Sequence, residues 1–170
     1  MSDDKIVEIL NHAKEIEKEG ILSYLDIARR TKEISGKNMF ITLAQEEVRH
    51  YLALEKEVIK LLEEGHSEHI EIPVSEIEKM APEITKREKR KKGKSELNEL
   101  DALEIALEQE KKSMEFYKSK MEEMEDENLR VLFKRLYEME QNHYDLIFAQ
   151  LDYIKGTGFW FDIPEFSMEA

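Results

Sequence analysis

The sequence contains no cysteine. Disulfide bonds, thiolate catalysis, iron–sulfur clusters and a four-cysteine iron site are therefore excluded within this chain. Proline and glycine are also scarce, at three and six positions in 170 residues, so few points would interrupt a long helix. Charged residues make up 38% of the chain and hydrophobic residues 41%, a balance that is typical of long amphipathic helices.

Long apolar runs are missing as well. No stretch approaches the roughly eighteen apolar residues of a membrane span, and the N-terminal residues are too charged for a signal peptide. We therefore expect a soluble, cytoplasmic protein that does not associate with a membrane. The net charge of −13 argues against a nucleic-acid partner.

Hydrophobic periodicity predicts one all-α domain, a four-helix bundle over residues 1–155. Apolar residues recur at alternating spacings of three and four within two helix pairs, about 4–64 and 96–155. A break at Ser35-Gly36 divides the first pair, and a break near Asp126 divides the second. Because both breaks are short, we expect the two helices of each pair to be antiparallel.

The segment 65–95 between the pairs lacks this periodicity and contains Pro73 and Pro82. Its length suits a crossover along the bundle from helix 2 to helix 3, with a short helix at about 75–80. The basic run at 86–94 is predicted to be a solvated loop or, alternatively, a docking patch for an acidic partner such as an electron carrier. A linker of this length would also allow the helix pairs to be exchanged between two chains.

Residues 156–170 are predicted to form an aromatic C-terminal tail. Gly156-Thr157-Gly158 is expected to end the fourth helix. The following segment 159–166 contains three phenylalanines and the one tryptophan of the chain. Because so many aromatic side chains seldom remain exposed, we expect the tail to fold back onto the bundle or onto a second subunit.

Ionisable residues occupy positions on the predicted buried faces where a bundle helix normally carries leucine or isoleucine. The set comprises two Glu-x-x-His motifs, two lone glutamates and two tyrosines: Glu47 with His50, Glu140 with His143, Glu17, Glu110, Tyr24 and Tyr117. A spacing of three residues places a carboxylate and an imidazole on the same helix face. Since a bare carboxylate is costly to bury, each of these acids needs a proton, a partner or a metal.

The whole set repeats at a fixed offset of 93 positions. Glu17 is followed at this offset by Glu110, and each remaining member of the first half has its equivalent in the second. Apolar core positions follow the same register, as Phe40 and Phe133 do. The chain is therefore best described as an internal repeat of two helices, and we call the residue at this offset the counterpart.

Four carboxylates and two imidazoles from four helices form the ligand set of a two-metal carboxylate site. Carboxylates can bridge two ions, and a neutral imidazole completes the coordination of each ion without adding charge. The lone glutamates would cap the pair from the opposite helices, while Tyr24 and Tyr117 can hydrogen-bond the ligand carboxylates. Gly20 and Ser113 lie one turn from the lone glutamates and leave space that a small oxidant could enter.

A structural explanation remains open at this point. Glutamate is so abundant that a Glu-x-x-His motif arises by chance, as at Glu63 and His66, where no acidic counterpart exists. His12 and His69 also lack such partners. Tyr24, taken alone, is more typical of an ordinary core aromatic. The buried acids could be paired within a polar core, but the joint pattern in one register favours metal binding.

On these residues the chain resembles the rubrerythrin-like branch of the ferritin-like superfamily. The residues that carry the resemblance are Glu17 and Tyr24, Glu47 and His50, Glu110 and Tyr117, and Glu140 and His143. It covers nearly the whole chain apart from the linker and the tail. It implies a ferritin-like four-helix bundle with a long crossover and a centre of two iron ions, with manganese or mixed metals as known variants. It also implies chemistry with hydrogen peroxide or dioxygen in a homodimer or higher homo-oligomer.

Two features differ from rubrerythrins proper. Their four-cysteine rubredoxin domain, which feeds electrons to the di-iron site, has no equivalent in a chain without cysteine. Their additional glutamate, one turn after the ligand of the third helix, is replaced by Ser113. The remaining four glutamates and two histidines resemble bacterioferritin-type sites as closely as they resemble the rubrerythrin site. The resemblance therefore implies an external electron donor, such as a rubredoxin-like carrier.

Three hypotheses follow from these observations. The leading one is a di-iron oxidoreductase that reduces peroxide or dioxygen with electrons from a separate carrier, with a role in oxidative stress. The second is iron or other metal binding, or storage, without turnover; peroxide consumption with a supplied reductant separates the two. The third is a structural bundle of paired acids, which predicts no bound metal.

Overall fold

A computed structural model of the chain describes residues 1–67, 69–75, 77–79 and 97–157. Its four long helices are α1 (Asp3–Arg30), α2 (Ile34–Glu64), α3 (Leu97–Glu123) and α4 (Glu127–Thr157). The described residues contain no strand, and residues 77–79 add one short helical turn. The prediction of an all-α fold with a long crossover between the second and third long helices is confirmed.

The connection between α1 and α2 comes earlier than the sequence predicts. At the end of α1, the Thr31 hydroxyl donates a hydrogen bond to the carbonyl of Ile27 at 2.9 Å. The side chain of Glu33 then accepts a hydrogen bond from the Gly36 N–H at 2.7 Å and caps α2. The predicted break at Ser35-Gly36 is therefore wrong, because both residues lie within the first turn of α2.

The apolar core consists of two clusters with the ionisable residues between them. Along α1, Leu10 and Ala13 belong to one cluster, Tyr24 belongs to the other, and Glu17 lies between them. Along α2, His50 likewise separates Ala44 of one cluster from residues of the other. The fold therefore surrounds a polar layer with apolar layers on both sides, which excludes water from it.

The crossover segment packs against the bundle more closely than its irregular sequence indicates. Ile70 and Ile72 belong to one core cluster, and Ile77 belongs to the other. Near the middle of the crossover, Glu78 forms a two-pronged ion pair with Arg135 of α4. Because residues of this one segment enter both clusters, it runs along the bundle and covers part of the polar layer.

Several predicted features lie outside the described residues. These are the basic run at 86–94, the aromatic segment 159–166 and Gly158. Thr157 is the last residue of α4, and the division into a bundle over 1–155 and a tail over 156–170 stays a prediction. None of the helices in the described part of the chain is long and apolar enough to cross a bilayer.

Candidate metal centre

The six ligands predicted from the sequence converge in the polar layer, with contributions from all four helices. They are Glu17 on α1, Glu47 and His50 on α2, Glu110 on α3, and Glu140 and His143 on α4. Each is at most 3% exposed. This burial follows from the helical periodicity, since all six occupy core positions along their helices.

Two groups of four residues bring their donor atoms within 4.8 Å of one another. One group contains Glu17, Glu47, His50 and Glu140, and the other contains Glu47, Glu110, Glu140 and His143. Glu47 and Glu140 belong to both groups. A carboxylate shared by two adjacent ion sites is in position to bridge them, so the geometry fits two neighbouring cations.

Both histidines direct Nδ1 towards the carboxylates. The Nδ1 atom of His50 lies 2.9 Å from Glu47 Oε2, 3.0 Å from Glu140 Oε1 and 3.2 Å from Glu17 Oε2. The Nδ1 atom of His143 lies 3.2 Å from Glu47 Oε1 and 3.8 Å from Glu140 Oε2. The two rings stack with centroids 5.5 Å apart. One imidazole nitrogen is therefore available to each ion position.

The two tyrosines cross between α1 and α3. The Tyr24 hydroxyl on α1 donates to Glu110 on α3, and the Tyr117 hydroxyl on α3 donates to Glu17 on α1. Each tyrosine thus contacts the lone glutamate of the opposite half rather than the one on its own helix. These hydrogen bonds fix Oε1 of each carboxylate. The second oxygen of Glu110 has no hydrogen-bond partner among the described residues, and that of Glu17 lies 3.2 Å from Nδ1 of His50.

The acids of the centre differ in the direction in which the pKa of each is shifted. Burial, and then the charge of Glu140, raise the pKa of both Glu17 and Glu110 well above the ordinary glutamate value. Burial also disfavours the charged form of Glu47, but His143 and His50 outweigh it and lower the pKa of Glu47. Without cations, burial and the charge of Glu140 therefore favour the protonated form of the lone glutamates.

Several buried atoms at the centre lack a hydrogen bond of acceptable geometry among the described residues. They include Glu47 Oε2, Glu110 Oε2, Glu140 Oε1 and His143 Nδ1. Leaving such atoms unsatisfied is costly, and all four belong to residues of the two donor groups. Four carboxylates would also be neutralised by two divalent cations. The residues present therefore fit a pair of metal ions.

Comparison with known protein families agrees with this geometry. The family model for rubrerythrin matches residues 8–151. The chain belongs to the rubrerythrin family. The match confirms the resemblance and the ferritin-like bundle that it implies. No curated protein and no solved structure matched the chain in the corresponding comparisons. For this member of the rubrerythrin family, the buried carboxylates and histidines form a set that could hold metal.

Glu46 is a candidate site residue that the sequence did not indicate. It is 1% exposed, and its Oε2 lies 2.9 Å from Nε2 of His143 on α4. Its Oε1 accepts a hydrogen bond from the Ile77 N–H of the crossover at 3.4 Å. A carboxylate on Nε2 holds the proton there and leaves Nδ1 free as a ligand. The spacing of Glu46 from His50 and Ala53 marks a buried face and could have indicated it.

The second histidine has no equivalent partner. The counterpart of Glu46 is Met139, which is 1% exposed and offers no oxygen. Nε2 of His50 is buried and has no hydrogen-bond partner among the described residues. The two ion positions of this rubrerythrin-family chain are therefore chemically unequal, although the ligands themselves follow the repeat.

A cavity of about 190 Å³ leads to the centre between α1 and α3. Glu17, Glu47 and Glu110 line its inner end, while Gly20 and Ser113 are among the small residues beside them. A larger cavity of about 590 Å³ lies between the end of α1 and the start of α3, and no predicted site residue lines it. Of these two cavities in the described part of the chain, the smaller one offers a small molecule access to the candidate metal ligands.

Proposed function

We propose that the protein is a non-haem di-iron oxidoreductase that reduces hydrogen peroxide or dioxygen with electrons from a separate carrier. The observation that supports this most is the pair of donor groups that share Glu47 and Glu140. Membership of the rubrerythrin family agrees with it. We place the activity in the defence against oxidative stress.

The donor types are compatible with iron. Carboxylate oxygens and imidazole nitrogens suit iron and manganese, and the absence of sulfur ligands argues against soft ions. In this proposal Glu47 and Glu140 would contribute to both ion sites, while Glu17 with His50 would complete one site and Glu110 with His143 the other. Manganese or a mixed pair would use the same residues.

When bound, two Fe(II) ions would supply the two electrons that, with two protons, convert one hydrogen peroxide molecule into two water molecules. The protein's own residues determine where this occurs. Tyr24 and Tyr117 orient the lone glutamates, and Glu46 keeps the His143 proton on Nε2. The apolar clusters exclude bulk water, while the cavity beside Gly20 admits a molecule of the size of peroxide.

The electrons must come from another molecule. The chain has no cysteine and hence no rubredoxin-type iron site of its own. A rubredoxin-like carrier would restore the reduced state between turnovers. This part of the proposal rests on the composition of the chain and on the chemistry of the reaction.

The test is peroxide consumption by iron-loaded protein with a supplied reductant. We expect multiple turnovers per chain in the wild type and none above background in the double variant Glu47→Ala with Glu140→Ala. Wild type that binds two ions but consumes no peroxide or dioxygen would contradict the enzyme proposal. That result would favour metal binding without turnover, and many iron atoms per chain would identify storage.

A further inference from the structure

A short part of the crossover contacts both α2 and α4 beside the candidate metal centre. We call residues 75 and 77–79 the crossover turn. On the α2 side, the Ile77 N–H donates to Oε1 of Glu46 at 3.4 Å. On the α4 side, Arg135 Nη2 lies 2.7 Å from Glu78 Oε2, and Nη1 contacts the other carboxylate oxygen. The turn therefore connects the two helices that carry the Glu-x-x-His motifs.

Two reciprocal hydrogen bonds hold the crossover turn in its helical form. The Ser75 N–H donates to Glu78 Oε2 at 2.7 Å, and the Glu78 N–H donates to the Ser75 hydroxyl at 3.0 Å. This is the capping box of a helix start, in which serine and glutamate each satisfy the backbone N–H of the other. Because Glu78 Oε2 also accepts from Arg135, the carboxylate that fixes the turn is itself fixed by α4.

The crossover turn holds Glu46 from one side while His143 holds it from the other. Glu46 and Ile77 are both buried, and Glu46 Oε2 lies 2.9 Å from Nε2 of His143, which leaves Oε1 to the turn. Burial opposes ionisation of Glu46. The hydrogen bond and charge of His143, and then the Ser75 hydroxyl and the Ile77 N–H, outweigh burial and lower its pKa. A carboxylate that accepts hydrogen bonds on both oxygens is held in one orientation towards its imidazole.

The ion pair between Arg135 and Glu78 contributes direction more than attraction. Apolar side chains of the crossover, among them Ile70 and Ile72, enter the core clusters and supply the attraction to the bundle. The ion pair is largely buried, with side-chain exposures of 22% for Arg135 and 14% for Glu78, and such pairs add little net stability because desolvation offsets the attraction. Its two-pronged geometry, however, fixes the orientation of the carboxylate relative to α4.

The internal repeat provides a comparison in which these contacts are replaced. The counterpart of Arg135 is Thr42, whose hydroxyl donates to the Asn38 carbonyl of its own helix at 3.0 Å. The counterpart of Glu46 is Met139. Neither threonine nor methionine can form the contacts of the residue it replaces, although the six ligands follow the repeat. The arginine and the buried acid thus occur together at one ion position, which supports a shared role.

We propose that Arg135 is a positioning residue of the metal centre and that it acts on His143 through the crossover turn. Arg135 holds Glu78, the turn holds Glu46, and Glu46 in turn keeps the proton of His143 on Nε2. The Nδ1 atom of His143 then stays available to an ion. The crossover thereby contributes to the centre in addition to connecting the helix pairs. This inference rests on the proposed pair of ions, but not on their reaction with peroxide or dioxygen.

The experiment is a double-mutant cycle on Co(II) affinity, measured for the full chain against a competing chelator. Arg135→Met keeps an apolar side chain of similar reach and removes the charge and the N–H groups. We expect it to weaken Co(II) binding at one of the two positions by about threefold to tenfold and to leave the other unchanged. In a Glu46→Gln background the same substitution should cause no further loss, because Arg135 acts through Glu46.

The matched control is Lys134→Met, which removes the adjacent cation of α4. Lys134 is exposed and pairs with Glu138 of its own helix at 3.8 Å, so we expect both affinities to remain those of the wild type. Circular dichroism verifies helix content in every variant. Arg135→Gln replaces Arg135→Met if the helices of the latter are lost.

A second measurement follows the His143 proton directly. In Co(II)-loaded protein, the N–H protons of ligand imidazoles give shifted NMR signals, and their exchange with water can be timed. The Nε2 proton of His143 should exchange faster in Arg135→Met than in Lys134→Met, whereas that of His50 should not change.

Three results would overturn the inference. Equal affinities in Arg135→Met and Lys134→Met would show that the ion pair does not reach the metal ligand. A loss that adds in full to that of Glu46→Gln would show that Arg135 acts by another route. Wild type that binds no Co(II) would contradict the proposed metal centre together with this inference, whereas the first two results contradict the inference alone.

Discussion

Glu46 on α2 and His143 on α4 meet at 2.9 Å, carboxylate Oε2 to imidazole Nε2. This contact joins a ligand of one helix pair to a buried acid of the other, and through the Ile77 N–H it also joins the crossover. The counterpart pair, Met139 and His50, cannot form it. One of the two ion positions therefore has a more basic imidazole than the other.

The Glu46→Gln substitution tests this inequality. The neutral amide would polarise His143 less than the carboxylate does, so we expect affinity at one of the two ion positions to fall by about tenfold to a hundredfold. Metal titration against a competing chelator measures the effect. Met139→Leu, at the counterpart position, should leave both affinities unchanged. If both metal affinities of Glu46→Gln equal those of the wild type, Glu46 does not influence metal binding through His143.

Removal of either crossing tyrosine hydroxyl should destabilise the metal-free bundle. Tyr24→Phe and Tyr117→Phe each take a hydrogen-bond donor from a buried glutamate, at a cost of about 1–3 kcal/mol in the free energy of unfolding. Urea denaturation of metal-free protein measures the loss. Tyr137→Phe removes a hydroxyl outside the centre and serves as the control. Equal stabilities of all three variants would contradict the role of these hydrogen bonds.

Gly20 should control access to the centre. A Cβ at this position would lie 3.4 Å from Cγ of Glu47, whereas a Cβ at Gly156 would meet nothing within 4 Å. Gly20→Ala, in the interior of α1, should gain about 0.5–1 kcal/mol in helix stability, and Gly156→Ala, in the last turn of α4, should gain less. Both variants should still bind two iron ions. In stopped-flow absorbance measurements, peroxide should oxidise the iron more slowly in Gly20→Ala than in Gly156→Ala. Equal rates in the two variants would exclude the cavity beside Gly20 as the route.

Asp126 lies outside the metal centre, and we expect its hydrogen bonds to make the stability of the fold depend on pH. Burial opposes its ionisation, but the Ser67 hydroxyl and the N–H groups of Leu129 and Asn128 outweigh this and lower the pKa of Asp126. Because the folded pKa lies below the unfolded value, the stabilisation is fully present above pH 4 or so and is lost as pH falls through the folded pKa.

Asp126→Ala should therefore cost about 1 kcal/mol of unfolding free energy at neutral pH, as the loss of a helix N-cap does. The difference from wild type should shrink as the pH falls below about 4. Thermal unfolding over a pH series measures both effects. Glu125→Ala, at the exposed neighbouring position, is the control. A difference that persists unchanged at pH 2 would contradict the assigned hydrogen bonds.

The sequence predicted the four helices and the convergence of the six site residues because both depend on periodicity. Placing Glu47, His50 and the others on core positions requires only helical spacing and the internal repeat. The same reasoning located the C-terminal ends of α2 and α3 to within about two residues, which is the usual precision of a helix boundary.

What the sequence did not predict depends on contacts between distant segments. Glu46 has no acidic counterpart, so the repeat gave no signal for it. The packing of Ile77 and the pairing of Glu78 with Arg135 join the crossover to α4 across more than fifty positions. The start of α2 depended on a side-chain cap from Glu33, which outweighed the turn preference of Ser35-Gly36. The sequence also did not predict that each tyrosine donates to the glutamate on the other helix, because this depends on how α1 and α3 are placed relative to each other.

Metal content per chain after anaerobic loading with Fe(II) measures whether the buried carboxylates and histidines hold two ions. Wild type should bind about two ions, and Glu47→Ala with Glu140→Ala should lose most of this capacity because both shared carboxylates are removed. The control, Glu63→Ala with Glu138→Ala, removes two exposed carboxylates from the same helices and should still bind two. Well-folded wild type that binds no metal, or a Glu47/Glu140 variant that still binds two ions, would contradict the account.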